Sequence, residues 1–324
     1  MKYSKALLFA SIITAWCLVS GVANAADNAP VGKALKKEYY FLLPEKASLE
    51  KGSKENKSSS VMTALAEAIK LIGVKSGINI SFTFSDEDEI RRVGSVKFAK
   101  KRIGKDIDFA VLMPSLYVYL KDKGVPIEPL VTYTVDNKKT DHVCLYVRKS
   151  DGLKDINDLK GKKLMDNKAI EGAPSVEEIL YEQGITAPKE KFFDIVGGKQ
   201  RLLDMAYSVV FRNADAFAAA GVQMKLSSGQ DARFKELEPL VCTKEFTNLV
   251  IVYYNKTDPA LIETLRTNFS KMHKGKEFQS VKLLFVALNG HFVPVDDSEY
   301  ESWRDYYKRA LKKGWMKKAD LYDH

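Results

Sequence analysis

Cysteine and histidine are scarce in this 324-residue chain, at three and four residues. Cys17, Cys144 and Cys242 form no C-x-x-C or C-x-x-C-H, which excludes a disulfide framework, a zinc ribbon and a c-type haem. His142, His273, His291 and His324 are scattered, with no H-E-x-x-H and no two-His helical pair, so no metal site and no cofactor is predicted. There is no run of five like charges, hence no nucleic-acid-binding tail. No G-x-S-x-G elbow and no Walker loop occurs. The acidic run Asp86–Glu89 reads as a solvated face, and no paired catalytic carboxylates are visible. The sequence therefore predicts a protein that is not an enzyme. After Ala26 no segment is apolar enough to span a bilayer.

What is present is a globular balance of 29% charged and 45% apolar residues. The length predicts roughly two domains. Lys plus Arg (51) exceed Asp plus Glu (42), and the net charge of +9 favours anionic partners in general.

The chain opens on an address. Lys2 and Lys5 precede the apolar stretch Ala6–Val19, which ends in Ala23-Asn24-Ala25. These are the n-region, h-region and small-x-small site of a secretory signal peptide spanning residues 1–25. The uncharged stretch is just long enough for an anchor helix, but Gly21 and the small-residue ending favour cleavage. Trp16 before Cys17 disfavours lipid attachment. Localisation in the periplasm is expected, with no membrane-spanning segment once the peptide is removed. Export leaves Cys144 and Cys242, either paired or as two separate buried thiols.

Along the rest of the chain, strand and helix patterns alternate. Tyr39–Leu43 is a compact apolar run, and Met62, Leu65, Ile69 and Ile72 mark a helix ending near Gly77. Ile78–Phe84 alternates, and Ile107–Met113 is nearly all apolar, as in a strand covered on both faces. Ser115–Lys121 reads as a short helix. Strands follow at Val143–Val147, Lys163–Met165, Phe192–Val196, Ala214–Ala219 and Thr247–Tyr253. Helices are expected at Ser175–Gln183, Gln200–Phe211, Pro259–Met272, Gln279–Leu288 and Tyr300–Lys313. Ser175 and Glu178 have the spacing of a capping box. The alternation predicts an α/β fold with mostly parallel sheets. A weak internal echo places Asp108 and Asp215 alike, each at the start of an apolar strand.

The stretch Ser150-Asp151-Gly152-Leu153-Lys154-Asp155-Ile156-Asn157-Asp158-Leu159-Lys160-Gly161-Lys162-Lys163 resembles the S-G-I-x-S-L-x-D-L-K-G-K segment of type 2 periplasmic solute-binding proteins, in particular the phosphate/phosphite/phosphonate family. Asp108, Ala110, Pro114 and Tyr117 match that family's D-x-A-x-x-G-P-x-S-Y segment, and Gly197, Asp215 and Ala216 match a later one. The resemblance implies two Rossmann-like lobes joined by crossing strands. Lobe one would comprise residues 30–141 plus 255–324, and lobe two 142–254. Val143–Val147 and Thr247–Tyr253 would be the crossings. It also implies a small, anionic, phosphonate- or phosphate-like ligand held between the lobes and delivered to an ABC-type membrane permease. A sensing subunit of a signalling system is the alternative on the same fold, and an exported α/β enzyme the alternative outside it.

Ligands of open α/β sheets sit beyond the strands' carboxyl ends, where helix N-termini offer unpaired N–H groups. On that reasoning the candidate contacts are Ser58, Ser59 and Ser60 before the first helix, Ser115 after the Pro114 turn, and Tyr117. Asn167 after a strand, Ser175 before a helix and Lys199 complete the set; Lys199 stands where the family carries His. Met113, Leu116 and Gly198 depart from the family pattern at the expected binding surface, which suggests a more apolar pocket or another small anion.

Overall fold

The apolar runs that the sequence marks as strands collect into two mixed sheets. The computed structural model describes residues 38–44, 57–85, 96–166, 175–197, 202–229 and 231–315. All lie in one contact unit that starts at Lys36. The predicted signal peptide lies outside the described residues. Among them, no helix is long and apolar enough to cross a membrane.

In chain order the first elements are β1 (Glu38–Pro44), α1 (Lys57–Lys75), β2 (Asn79–Ser85), α2 (Val96–Arg102), β3 (Phe109–Leu112), α3 (Pro114–Asp122) and β4 (Ile127–Tyr133). The chain then passes through β5 (Thr140–Asp141) to β6 (Val143–Arg148), β7 (Lys163–Met165), α4 (Val176–Glu182), α5 (Lys189–Phe192), β8 (Asp194–Val196), α6 (Leu202–Val210), β9 (Ala216–Ala220), α7 (Gly221–Ser228) and β10 (Leu237–Cys242). It returns through β11 (Phe246–Thr247) to β12 (Val250–Tyr254), α8 (Pro259–Lys271), α9 (Gln279–Leu288), β13 (Phe292–Pro294) and α10 (Glu301–Lys313).

The first sheet has the order β13-β4-β12-β3-β1-β2 and the second β10-β6-β9-β7-β8. Leaving β13 aside, the two orders superimpose: β2-β1-β3-β12-β4 corresponds to β8-β7-β9-β6-β10. Only the β2-β1-β3 and β8-β7-β9 triplets are parallel. The expectation of mostly parallel sheets is corrected on this point. β12 pairs antiparallel with β3 and β4, and β6 antiparallel with β9 and β10, because each enters its sheet from the crossing.

The crossing itself is a two-stranded ladder of β5 and β11. Of the predicted crossing strands, Val143–Val147 is β6 of the second sheet, while Thr247–Tyr253 starts in β11 and continues as β12 of the first sheet. Residues 250–254 pair within the first sheet. The apolar stretch Thr247–Tyr253 is broken by Asn248, whose N–H donates to Lys139 O at 2.9 Å and whose Nδ2 donates to Tyr133 O at 3.1 Å.

Each sheet is covered on both faces, and the residues alternate accordingly. In β1, Phe41 and Leu43 enter one core cluster and Leu42 the other; in β3, Phe109 and Val111 split from Ala110 and Leu112. In the second sheet Val143, Leu145 and Val147 face one side of β6, and Cys144 and Tyr146 the other.

The Asp108/Asp215 echo is realised as a repeated clip. Asp108 N donates to Tyr40 O at 2.9 Å, and Tyr40 N donates back to Asp108 Oδ2 at 2.9 Å. Asp215 N donates to Lys163 O at 2.8 Å, and Lys163 N donates back to Asp215 Oδ2 at 2.9 Å. Each aspartate thus closes the start of a parallel pair, β1–β3 or β7–β9. The D-L-K-G-K stretch is structural as well. Asp155 Oδ1 accepts from Asn157 N at 2.7 Å, Leu159 is fully buried, and Gly161 turns the chain at φ +73° into β7.

Candidate ligand-binding site

The carboxyl ends of the parallel strands are where this fold exposes helix N-termini. β3 runs out at Leu112, and Met113 caps α3 in an extended conformation (φ −65°, ψ 142°). Pro114 occupies the first helical position, where a missing N–H costs nothing. Met113 contributes no side-chain cap, so the early N–H groups of α3 keep no side-chain acceptor from it. No acidic side chain lies in the first turn of α3 or α1. An anion at either end meets the positive pole of a helix and no carboxylate from that helix's first turn.

Ser115 sits at this end of α3 and is buried. Ser58, Ser59 and Ser60 do not precede the first helix, as expected; they lie in its first turn, since α1 starts at Lys57. Tyr117 is fully buried. Its hydroxyl donates to Asp297 and its ring meets Tyr300 edge-on at 4.9 Å. Burial and the Asp297 carboxylate push the phenol far above its ordinary range. Tyr117 is thus engaged in packing between α3 and the chain before α10. Asn167 and Lys199 lie outside the described residues.

In the second sheet, β7 ends at Met165 and is followed by Asp166, and α4 begins after Ser175. The predicted capping box is not formed. The Ser175 hydroxyl makes no cap bond, and Glu178 turns away to Arg309 of α10, which donates through Nε at 3.1 Å and also through Nη2. A buried carboxylate gains more from a guanidinium than from a backbone N–H. The backbone N–H of Ser175 donates to the Tyr306 hydroxyl at 3.2 Å. The Ser175 N–H is thereby paired with a hydroxyl from α10.

Asp166 was legible as a strand end; its partner was not. Lys189 Nζ lies 2.9 Å from Asp166 Oδ2 and 2.9 Å from Glu177 Oε1. Burial pulls the Lys189 ammonium down, but the two carboxylates more than offset it, so its pKa is raised. The lysine pairs with Glu177 in the acidic first turn of α4. No local signal links Lys189 to residues 166 and 177; they meet only in the tertiary fold.

The N-terminus of α7 is already filled. Asp141 on the β5 crossing accepts from Val222 N at 2.8 Å through Oδ2, and a Cβ at Gly221 would fall 2.5 Å from Asp141 Oδ1. Burial, and secondarily the Asp141 charge, pushes Tyr146 up to about 12. The helix ends thus divide: those of α1 and α3 carry no acid, while those of α4 and α7 engage groups from α10 and the crossing.

The cysteine question is settled by a disulfide between Cys144 and Cys242, directly opposed on β6 and β10.

The family model for the ABC transporter phosphonate periplasmic substrate-binding protein matches residues 98–300. No curated protein matches the sequence. Among solved structures, PhnD1 from Prochlorococcus marinus in complex with methylphosphonate is similar, at 14% identity and TM-score 0.60, over 86% of this chain and 99% of that one. A binding protein component of an ABC phosphonate transporter from Pseudomonas aeruginosa is similar at 13% identity and TM-score 0.58, over 86% and 87%. The periplasmic aliphatic sulphonate binding protein SsuA from Escherichia coli is similar at 14% identity and TM-score 0.56, over 88% and 91%. These likenesses show the type 2 periplasmic binding fold. With its two sheets of matching strand order and a family match over most of the chain, this protein belongs to the phosphonate periplasmic substrate-binding family of ABC transporters.

Proposed function

We propose that the protein captures a small organic oxyanion, a phosphonate or a sulfonate, between two lobes and hands it unaltered to an ABC-type permease. Lobe one comprises the first sheet with α1–α3 and α8–α10; lobe two comprises the second sheet with α4–α7. Residues 1–25 direct export to the periplasm. The observation that carries the ligand class is the first turn of α3. It lies at the carboxyl end of a parallel strand, with no acid and no side-chain cap from Met113. The N-terminus of α1 has the same charge character. The ligands of the structural relatives, methylphosphonate in one and aliphatic sulphonates in another, support the same class.

Met113 narrows it further. The residue is 41% exposed beside that helix end, so apolar surface adjoins the oxyanion position. An alkyl substituent has a place to go there, which favours an organophosphonate or alkanesulfonate over inorganic phosphate. Ligand closes the lobes by binding the first and completing contacts with the second, where Ser175, Asn167 and Lys199 belong to the candidate set.

A thermal-shift screen tests this with phosphate, phosphite, alkylphosphonates, alkanesulfonates and uncharged controls. A ligand at a hundred times its Kd stabilises by ~2.7 kcal/mol. Stabilisation by a phosphonate or sulfonate is expected. A response confined to neutral or cationic solutes rejects the proposal.

A further inference from the structure

Three soft or borderline ligand atoms converge where the chain crosses between the sheets. A ring nitrogen of His142 and the sulfurs of Cys144 and Cys242 all lie within 4.8 Å of one another. His142 follows β5 directly and stands two residues before Cys144, the spacing that puts both side chains on one face of an extended chain. Cys242 is the residue opposite Cys144 across the β6–β10 ladder. The backbone around them is well fixed. Gly221 N donates to His142 O at 3.0 Å, and Thr243 N donates to Val143 O at 2.9 Å. Val143 N donates to Thr243 Oγ1 at 3.1 Å. The donors come from β6, β10 and the residue that links β5 to β6.

In the oxidised protein the two sulfurs are bonded to each other and offer no thiolate. The geometry points to a second occupant: in the reduced protein, Cys144, Cys242 and His142 form a site for Zn²⁺ or Cu⁺, with any fourth position open to water. Two thiolates and one imidazole are a donor set both ions accept. Zinc–sulfur and zinc–nitrogen distances of about 2.3 and 2.0 Å place tetrahedral donors roughly 3.5–3.8 Å apart, inside the 4.8 Å envelope. The chemistry balances. Two electrons from a dithiol, which itself closes to a disulfide, convert the Cys144–Cys242 bond to two thiols. The metal ion then displaces both thiol protons to solvent. Disulfide and metal are alternative staples for the same pair of strands at the root of the crossing.

The test uses the full chain in a Cys17→Ser background, so that only these two thiols report. The protein is reduced with a phosphine, titrated with Zn²⁺ under anaerobic conditions, desalted, and measured for bound metal. Co²⁺ is titrated in parallel, because thiolate ligation gives it an intense near-ultraviolet charge-transfer band. About one Zn²⁺ per reduced chain is expected, with none retained by the oxidised chain. His142→Ala should weaken binding at least ~10-fold, and Cys144→Ser with Cys242→Ser should abolish it. Oxidised His142→Ala keeps its disulfide, and its melting temperature reports whether that variant is folded. Reduced protein that retains no zinc, or a folded His142→Ala variant that binds as tightly as its parent, overturns the inference.

Discussion

Arg309→Ala should be among the most damaging surface-proximal substitutions in this protein. Glu178 is fully enclosed beside the second sheet, and Arg309 of α10 is the only cation that the described residues place in ion-pair contact with it. Tyr181 lies under the guanidinium at 5.1 Å and meets the Trp315 ring at 5.8 Å, so the pair is walled by aromatic surface. Removing one partner of a buried pair costs ~3–5 kcal/mol, because the charge left behind stays buried without compensation. Arg309 itself is 27% exposed at its side chain, so some water reaches the gap. The lower end, about 3 kcal/mol, is expected. For a domain of this size that corresponds to a fall in Tm of about 6–12 °C.

The asymmetry is the sharper signature. Glu178→Gln keeps the volume and leaves only a partly solvated arginine without its anion, so it should cost about 1–1.5 kcal/mol. The double variant should be more stable than Arg309→Ala alone. Urea denaturation of the four proteins measures the cycle. If Arg309→Ala costs under 1 kcal/mol, or if Glu178→Gln is as harmful, the bridge between α4 and α10 does not work as described.

The remaining predictions follow from the same geometry. Replacing Cys144 and Cys242 by serine in metal-free protein opens a loop of 98 residues and should cost up to ~4.7 kcal/mol in urea unfolding. Burial pushes the Asp297 carboxyl up, but the Tyr117 hydroxyl and Arg304 more than offset it and leave it below its ordinary 3.8. Its contribution is therefore complete above 3.8 and lost as the pH falls through the lower folded-state value, so Asp297→Asn should flatten the acid limb of a stability–pH profile. Met113→Gly should weaken an alkylphosphonate or alkanesulfonate by about fourfold per methylene lost from contact, at ~0.8 kcal/mol each, and leave inorganic phosphate unchanged in calorimetric titrations.

Some of this fold is plain in the sequence because local pattern and tertiary environment agree. Tyr39–Leu43 and Phe109–Met113 are apolar on successive residues, and both faces of β1 and β3 are indeed covered. β4 is hidden because Glu128 and Pro129 interrupt its apolar run, although it pairs on both sides. Its ladder with β12 shifts register where Pro129 sits, since proline has no N–H to give. β10 carries Pro239 and a register shift of the same kind. Asp108 and Asp215 look alike in sequence because they do the same job at equivalent strand starts, and that job is structural.

The candidate site is only partly legible, for a physical reason. Helix starts are local events, so Ser115 and Ser175 are placed at helix N-termini correctly. What fills such an end comes from elsewhere in the chain: Tyr306 at Ser175, Asp141 at Val222, Lys189 between Asp166 and Glu177. Periodicity carries no information about these meetings. His142 and Cys144, two residues apart, are the exception in hindsight, since strand spacing alone puts them on one face.

Small-angle scattering of the protein with and without a saturating phosphonate or sulfonate tests the central claim most directly. Two jaws that close on a guest predict a smaller radius of gyration with ligand, and a guest recovered chemically intact from the same sample. A bound ligand that leaves the radius unchanged, or one recovered as a new compound, would contradict it.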